Sequence, residues 1–347
     1  MLDIKENVDI KEYTTFKVGG KFRYFTVISS ISDLTSICAI AQNDGKYENI
    51  PIFIIGGGSN IIFSDEILNV LAIKLEIKGF EIISDTKDYT EIKVGASENW
   101  DSFVERTVAM NLSGIEAMSS IPGTVGATPV QNVGAYGQET KDTLISVNVF
   151  DIKEGIFKDL SNADCKFGYR DSIFKNEAKG KYVIIAVTYR LSKHLPILPD
   201  YPGIKKYFIE NNMNNVTLEN IRHTVIEIRK NKLPNPKDIP NVGSFFKNPI
   251  ISQELFLAIS RTYGNMPHFK TNDKNLLKIP AGWLIENTGL KGKLFGHISI
   301  YENNALVLVN DGFATCADVS RVRDEITKSV FEKFGIKLET EPEFIKN

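Results

Sequence analysis

The sequence has few cysteines and no long apolar run. Its three cysteines, Cys38, Cys165 and Cys316, lie far apart and form no CxxC pair, so neither a disulfide framework nor a zinc site is predicted. No apolar run approaches the length of a transmembrane helix, and the charged N-terminus, MLDIKENVDIKEYTTF, lacks the apolar stretch of a signal peptide. We therefore expect a soluble cytoplasmic protein with no membrane partner.

An excess of positive charge and the common catalytic motifs are also missing. The formal net charge is −2, without the basic surplus that accompanies nucleic-acid binding, so no nucleic-acid partner is expected. The four histidines show no HExxH or paired spacing, and no GxSxG elbow or Walker loop occurs. No metal site is predicted. The composition is otherwise ordinary for a globular protein, and 347 residues suffice for two or three domains.

A glycine-rich loop follows an apolar run early in the chain. PIFIIGGGSNIIF, residues 51–63, is typical of a strand, a loop and a second apolar run. Glycines after a strand let the backbone approach a phosphate closely, and their N–H groups can bind its oxygens. A Rossmann site needs an amphipathic helix here, whereas further strands are predicted at 70–75 and 91–95. A phosphate-binding turn and a plain glycine hairpin both remain open.

A second loop has the most unusual composition in the chain. IPGTVGATPVQNVGAYG, residues 121–137, combines glycines and prolines with small or hydroxyl side chains and almost no charge. Such a stretch cannot form a regular helix, and it is too apolar for a flexible linker. A buried loop of this kind is typical of the wall around a large flat cofactor or its phosphates. A structural connection over a sheet edge is the alternative.

The third candidate is Arg170, in the stretch SNADCKFGYRDSIFK at residues 161–175. This stretch lies between strands predicted at 145–151 and 182–192. Guanidinium presents a rigid fork of donors and suits a bound carboxylate or phosphate. An ordinary ion pair in a surface turn is the alternative, and on these residues alone it is the commoner arrangement.

The remaining pattern predicts further helices and strands. Residues 194–216 are proline-rich and predict an irregular loop carrying Tyr201. The final residues, 336–347, resemble a strand. Apolar spacing and capping residues predict a strand at 22–28, a helix capped by Ser32, helices at 97–111, from Thr217 to before Pro234, at 253–262 and at 281–288, a strand at 304–310, and a helix from Thr315 to Gly335.

Taken together, these motifs resemble the UDP-N-acetylenolpyruvoylglucosamine reductases, flavoenzymes that make UDP-N-acetylmuramate for the bacterial cell wall. The resemblance covers nearly the whole chain. It rests on the order of TTFKVGG, IIGGGSN, IPGTVGATPVQNVGAYG, FGYRDSIFK, GSFFKNP, AGWLIE and the acidic tail. The long stretch between Arg170 and Ser244, with its Tyr201 loop, resembles the type I subgroup, which has such a lid.

The resemblance implies an α+β fold of three domains. Two would form an FAD-binding unit of the PCMH/vanillyl-alcohol-oxidase type, and an α/β domain would bind the substrate. The implied boundaries are residues 1–75 plus 336–347 for the first FAD-binding subdomain, 76–233 for the second, and 234–335 for the substrate domain. FAD would lie between the first two, and a monomer is expected.

The implied reaction uses FAD and NADPH. NADPH would reduce the flavin, leave, and be replaced by UDP-N-acetyl-3-O-(1-carboxyvinyl)-glucosamine. Hydride from flavin N5 would go to C3 and a proton to C2, giving UDP-N-acetylmuramate for peptidoglycan synthesis, cell shape and division. Two alternatives remain: a related FAD-dependent oxidoreductase with another substrate, and a nucleotide-binding regulatory protein that has lost catalysis.

The resemblance also assigns site residues. Arg170 matches the arginine that polarises the enolpyruvyl carboxylate, Ser244 the serine that protonates C2, and Glu341 the C-terminal catalytic glutamate. The residues that match substrate-binding groups are Tyr201, Lys232, Asn248 and, less directly, Asn304. The implied FAD contacts come from the two glycine-rich loops: Gly56, Gly57, Gly58, Ser59, Asn60, Pro122, Gly123, Thr124, Gly126, Ala127, Gln131, Asn132, Gly134, Ala135, Tyr136 and Gly137.

The tail departs from the family pattern. The family usually has valine and a basic residue after its catalytic glutamate, whereas Glu341 precedes Pro342 and Glu343. Glu339, Glu341 and Glu343 would share one face of a strand. A two-residue slip in the alignment would therefore assign Glu339 or Glu343 instead.

Overall fold

The computed structural model describes residues 2–347, which divide into two compact units. The first comprises the described residues up to Val8, Phe22–Gly58 and Asn69–Lys230. The second comprises Asp9–Lys21, Ser59–Leu68 and Asn231–Asn347. Each unit is thus assembled from separate stretches of chain. The boundaries of the three implied domains stay a prediction.

The described chain contains both helices and strands, largely in runs of one kind, as expected for the predicted α+β class. The α-helices are α1 (Ile31–Asn43), α2 (Trp100–Ala109), α3 (Pro202–Glu210), α4 (Leu218–Lys232), α5 (Gln253–Tyr263), α6 (Ala281–Asn287) and α7 (Cys316–Phe334). The strands are β1 (Lys5–Asp9), β2 (Lys21–Ile28), β3 (Ile52–Ile55), β4 (Ile61–Phe63), β5 (Ile67–Leu75), β6 (Phe80–Asp85), β7 (Tyr89–Gly95), β8 (Gly134–Ala135), β9 (Gln138–Glu139), β10 (Leu144–Asp151), β11 (Ile156–Ser161), β12 (Tyr182–Ser192), β13 (Asn241–Ser244), β14 (Ile250–Ser252), β15 (Phe269–Lys270), β16 (Leu276–Lys278), β17 (Leu294–Phe295), β18 (Ile298–Ile300), β19 (Val307–Asn310) and β20 (Glu343–Ile345).

The first unit is built around two sheets. One has the strand order β1-β2-β5-β3, and β3 and β5 run parallel. Helix α1 covers it with Leu34 and Ile37, which lie at helical spacing and are fully buried. The other sheet is antiparallel in the order β11-β10-β12-β7-β6, and α2 packs Trp100 and Phe103 into its core. Each sheet therefore has a buried apolar core on the face that its helix covers.

The second unit has smaller sheets, in the orders β13-β19-β18-β17 and β14-β16-β15, and a parallel pair, β20-β4. Helix α7 lines the core with buried positions at helical spacing, such as Val322 and Ile326. Thr315 forms its capping box, and Gly335 ends it at a φ of 68°, where glycine avoids the steric cost of a side chain. The helix begins and ends as the sequence predicts.

The structure corrects three details of the predicted elements. Ser30, not Ser32, caps α1, because its hydroxyl accepts a hydrogen bond from the Asp33 N–H at 3.0 Å. The segment 194–216, predicted to be irregular, contains α3, which begins at Pro202 and packs on α4. The tail forms a strand only at β20, because Pro342 has no N–H to donate to a ladder.

Candidate functional site

The two glycine-rich loops touch each other in the first unit. A Cβ built on Gly57 would lie 2.8 Å from the Cα of Gly123, and one on Gly56 would lie 3.1 Å from the hydroxyl of Thr124. Only glycine allows two backbones to approach this closely. Strand β3 pairs with β5, and β4 with β20, so the plain glycine hairpin is wrong as an interpretation of the first loop.

The second loop is fixed at the start of α2. Trp100 N–H donates to the Gly123 carbonyl at 3.1 Å, and Gly126 N–H donates to the Ala96 carbonyl at 2.8 Å. A Cβ on Gly126 would lie 2.6 Å from the Ala96 Cβ. The loop is therefore a tightly packed wall with a short 3₁₀ turn at Val125–Ala127, and it does not behave as a linker.

Arg170 lies against the end of this second loop. Its Nη2 donates to the Gly134 carbonyl at 2.8 Å. Asn132 Nδ2 donates to the Gly168 carbonyl at 3.0 Å, and the Ser172 hydroxyl donates to the Val130 carbonyl at 2.6 Å. The stretch that the sequence singled out and the loop at 121–137 are therefore joined by a row of hydrogen bonds.

A half-buried carboxylate, that of Glu139, lies near Arg170. The Glu139 carboxylate accepts hydrogen bonds from Asn132 Nδ2 and Lys141 Nζ, each at 2.9 Å. Burial by itself would raise the pKa of Glu139, but these hydrogen bonds and the positive charges of Lys141 and Arg170 lower it. Glu139 is thus ionised at neutral pH, and its strand partner is Gly134, the residue whose carbonyl Arg170 binds.

Tyr201 contacts the same loop through an aromatic pair. Its ring is 5.0 Å from that of Tyr136 and nearly perpendicular to it. Burial raises the pKa of both phenols, which keeps them protonated donors. Arg229 of α4 hydrogen-bonds to Tyr136 and, through Nε, to the Ser120 carbonyl at 3.2 Å, and burial lowers its pKa. A guanidinium beside two phenols favours a bound anion.

A second arginine of α4 supports this group. The Asp101 carboxylate accepts hydrogen bonds from Nη1 and Nη2 of Arg222, at 2.5 and 3.1 Å. It also accepts one from the Ser120 N–H at 2.5 Å. Burial would raise the pKa of Asp101, but these hydrogen bonds lower it. Sequence reasoning missed Asp101, Arg222 and Arg229. The available signal was the seven-residue spacing of the two arginines, which places them on one helix face beside apolar positions.

In the second unit, Ser244 and Glu341 lie on paired backbone segments. The Glu341 N–H donates to the Phe245 carbonyl at 2.9 Å, and Phe246 forms a bridge with Thr340. Both Ser244 and Glu341 are half-buried. Two of the three predicted catalytic residues therefore come together although nearly a hundred residues separate them in sequence.

The three tail glutamates have different surroundings. Glu339 is 75% exposed in its side chain and forms an ion pair with Lys247 at 3.5 Å. Glu341 and Glu343 are half-buried, and both contact Asn60 of the first glycine loop: Asn60 Nδ2 donates to the Glu341 carbonyl at 3.3 Å, and the Glu343 N–H donates to the Asn60 carbonyl at 3.1 Å. The exposed Glu339 is the least suitable of the three for catalysis.

Two predicted substrate-binding asparagines lie at the start of α6. Asn248 Oδ1 accepts from the Ala281 N–H at 2.9 Å. Asn304 Oδ1 accepts from the Leu306 N–H at 3.1 Å and is 3.8 Å from the Cβ position of Gly282. Phe245, the residue after Ser244, also contacts this region, because its N–H donates to the carbonyl of Leu306 at 2.8 Å.

The predicted site residues divide between the units. The first unit holds Gly56–Gly58, the loop 122–137, Arg170 and Tyr201, and the second holds Ser59, Asn60, Lys232, Ser244, Asn248, Asn304 and Glu341. Lys232 is exposed at the C-terminal end of α4. The contacts described above bring the predicted residues of each unit together, except for Lys232, and the roles of all of them stay predictions.

Other chemistries find little support in residues 2–347. This part of the chain contains no group of three or more His, Cys, Asp and Glu side chains that could hold a metal ion. None of its helices is both long enough and apolar enough to cross a membrane. Burial raises the pKa of Cys38 to about 11 and that of Cys165 to about 12, so neither provides a reactive thiolate at neutral pH.

Comparison with known proteins covers the whole chain. Residues 23–161 match the FAD binding domain family, and residues 235–345 match the family of the UDP-N-acetylenolpyruvoylglucosamine reductase C-terminal domain. UDP-N-acetylenolpyruvoylglucosamine reductase from Flavobacterium johnsoniae is 42% identical, over 98% of this chain and 99% of that protein. The enzyme of the same name from Neisseria meningitidis serogroup B is 38% identical, over 99% and 98% of the two chains.

The fold agrees with these sequence matches. The crystal structure of UDP-N-acetylenolpyruvylglucosamine reductase (MurB) from Thermus caldophilus matches all of this chain and all of its own, with a TM-score of 0.68 at 23% identity. The predicted α+β fold with an FAD-binding unit is confirmed. With relatives 36–42% identical over essentially their full length, the chain belongs to the UDP-N-acetylenolpyruvoylglucosamine reductase family.

Proposed function

We propose that this chain reduces UDP-N-acetyl-3-O-(1-carboxyvinyl)-glucosamine to UDP-N-acetylmuramate, with FAD as cofactor and NADPH as reductant. The observation that carries the proposal is the full-length identity of 42% with an enzyme of that name. The pairing of the Ser244 and Glu341 segments supports it, because protonation of the substrate needs a donor held in a fixed position.

The residues present fit FAD. The contact between Gly57 and the Cα of Gly123 brings two stretches of main chain together where the two loops meet. A pyrophosphate is bound by such closely approaching backbone. Gly56–Asn60 and the loop 122–137 would hold the cofactor, and their match to an FAD binding domain supports the assignment. When bound, FAD supplies hydride transfer from NADPH to C3 of the enolpyruvyl group.

The protein side chains would perform the remaining chemistry. Arg170, fixed on Gly134, would bind the enolpyruvyl carboxylate and stabilise the negative charge that develops on it. The Ser244 hydroxyl would donate the proton to C2, and Glu341, on the neighbouring segment, would supply the carboxyl group beside it. Asn248 would help to hold the diphosphate and sugar, and Asn304 would make a polar contact with the substrate.

Two further side chains complete the proposed substrate site. Tyr201 and Lys232 would donate to the diphosphate of the substrate, Tyr201 as a neutral phenol and Lys232 as an exposed cation. We expect the enzyme to act as a monomer in the cytoplasm in peptidoglycan synthesis, without nucleic-acid or membrane partners. The net charge of −2 supports the absence of a nucleic-acid partner.

The visible spectrum of the purified protein tests this function. We expect a yellow protein whose flavin absorbance is bleached by NADPH without oxygen and restored by the enolpyruvyl substrate. In Ser244→Ala, NADPH should still bleach the flavin, whereas restoration by the substrate should collapse. Ser329→Ala, on α7, is a matched control and should behave as the native protein.

Other outcomes would contradict the proposal in distinct ways. A colourless protein that takes up no FAD would exclude any flavoenzyme. Bleaching by NADPH without restoration in the native protein would favour an oxidoreductase for another substrate. Unchanged turnover of Ser244→Ala would remove the serine from its role as proton donor.

A further inference from the structure

Lys74 reaches the first glycine-rich loop from the neighbouring strand. It lies on β5 opposite Ile55, the last residue of β3. Its Nζ donates a hydrogen bond to the carbonyl of Gly56 at 3.0 Å. Gly56 begins the loop that touches Gly123 and Thr124 of the second loop. An ammonium group therefore stands at the junction of the two loops.

The ammonium group of Lys74 is partly removed from water and forms no ion pair among the described residues. The side chain is half-buried, and burial lowers its pKa, while the charge of Glu76 acts in the opposite direction. Among the described residues, 2–347, no carboxylate oxygen lies within 4.0 Å of its Nζ. By contrast, Lys158 pairs with both Asp151 and Glu154. Because desolvating an ammonium group is costly without a counter-charge, such a lysine marks a place for an anion.

We propose that Lys74 binds the pyrophosphate of FAD and so contributes to the affinity for the cofactor. The inference rests on the proposed function and adds to it a cationic side chain that lies outside the two glycine-rich loops. Close backbone approach together with one lysine is an efficient way to bind phosphate oxygens, because lysine provides a point charge that needs no fixed geometry. The competing explanation is structural: Lys74 only tethers the Gly56 carbonyl.

Two substitutions separate these explanations. Lys74→Gln and Lys74→Arg can each donate a hydrogen bond to Gly56, but only arginine keeps the charge. We would remove FAD from the full-length protein and titrate the cofactor back, following the quenching of flavin fluorescence. Lys87→Gln is the control, because Lys87 is an exposed lysine in the same unit.

We expect Lys74→Gln to raise the dissociation constant of FAD by about 10- to 100-fold, the range for loss of a charged hydrogen bond. Lys74→Arg and Lys87→Gln should bind nearly as tightly as the native protein. Equal loss in the Gln and Arg variants, or no loss in either, would overturn the proposal. If the native protein itself binds no FAD, the proposed function fails instead, so the two failures are distinguishable.

Discussion

Arg170 adopts a backbone conformation that is uncommon for a residue with a side chain, with a φ of 54°. Asn132 and Tyr136, in the adjoining loop, also have positive φ, at 48° and 52°. Each such residue costs about 1–3 kcal/mol and persists only where its surroundings fix it. The hydrogen bonds among 130–134 and 168–172 provide that fixation. Uncommon backbone conformation at these three neighbouring positions agrees with a site that holds its groups in advance of the ligand.

Substituting Arg170 by lysine should affect one half of the reaction. Lysine keeps the charge but loses the planar fork that matches a carboxylate. We expect the rate of flavin reoxidation by the enolpyruvyl substrate to fall by about 10²–10³-fold, as for loss of one oriented donor, with reduction by NADPH little changed. Stopped-flow absorbance measures both steps. Arg190→Lys, an exposed arginine paired with Glu91, is the control; an equal effect there would contradict a specific role.

The pair Asp101–Arg222 should make stability depend on pH. The pKa of Asp101 in the folded protein lies below its unfolded value, although burial acts against this. Its contribution is therefore fully present above about pH 4, the unfolded pKa, and is lost as pH falls through the folded value. Asp101→Asn should lower the melting temperature most at neutral pH, with a cost of roughly 1–3 kcal/mol.

Thermal unfolding across pH 3–7 measures this dependence (about the range over which carboxylates titrate). Asp88→Asn is the control. The Asp88 carboxylate is exposed, and its ion pair is a long one, 3.7 Å from Nε2 of the exposed His194. A difference between native protein and Asp101→Asn that stays constant with pH would show that the Asp101 charge does not contribute to stability.

Among the helices and strands, those with capping residues and apolar spacing of their own were predicted from the sequence. Elements that depend on contacts with distant segments were not. Helix α7 was predicted end to end because Thr315 and Gly335 act within its own turns. Helix α3 was missed because its buried residues, Ile204 and Phe208, gain their partners from α4 rather than from their own segment. The tail was predicted as one strand, but it pairs with two different partners. Thr340 pairs with Phe246, whereas Glu343 pairs with β4.

The contact between the glycine-rich loops gives a prediction for the loop as a whole. In Gly57→Ala the new Cβ would meet the Gly123 backbone at 2.8 Å, and no flexible side chain is there to move away. The loops must separate, which we expect to cost about 1–3 kcal/mol of stability and to weaken FAD binding. Differential scanning calorimetry and FAD titration measure the two effects.

Gly45→Ala is the matched control for this loop substitution. A Cβ at Gly45 meets nothing within 4 Å, and its φ is not positive. We expect it to leave both stability and FAD affinity near native values. Native-like FAD affinity in Gly57→Ala would argue that the loop contact does not shape the cofactor site.

For the molecule as a whole, the resemblance of the motifs identified candidate functional residues but not the residues that surround them. Arg170, Ser244 and Glu341 were assigned by motif, whereas the pairing of the last two segments joins residues too distant for any local pattern. Lys74 and Arg229 were missed because a lysine or arginine becomes informative only when its burial and its partners are known. The division into three domains remains a prediction beside the two units observed.

The second unit combines Asp9–Lys21 and Ser59–Leu68 with everything after Lys230, and this has a consequence for synthesis on the ribosome. Its early segments are made first, but their partners lie beyond Lys230 in the chain. Strand β4, with the sequence IIF, pairs with β20, Glu343–Ile345. Until β20 has been synthesised, β4 exposes an unpaired apolar edge, which favours aggregation. The newly made chain therefore depends on the synthesis of β20 to protect β4 from misassembly.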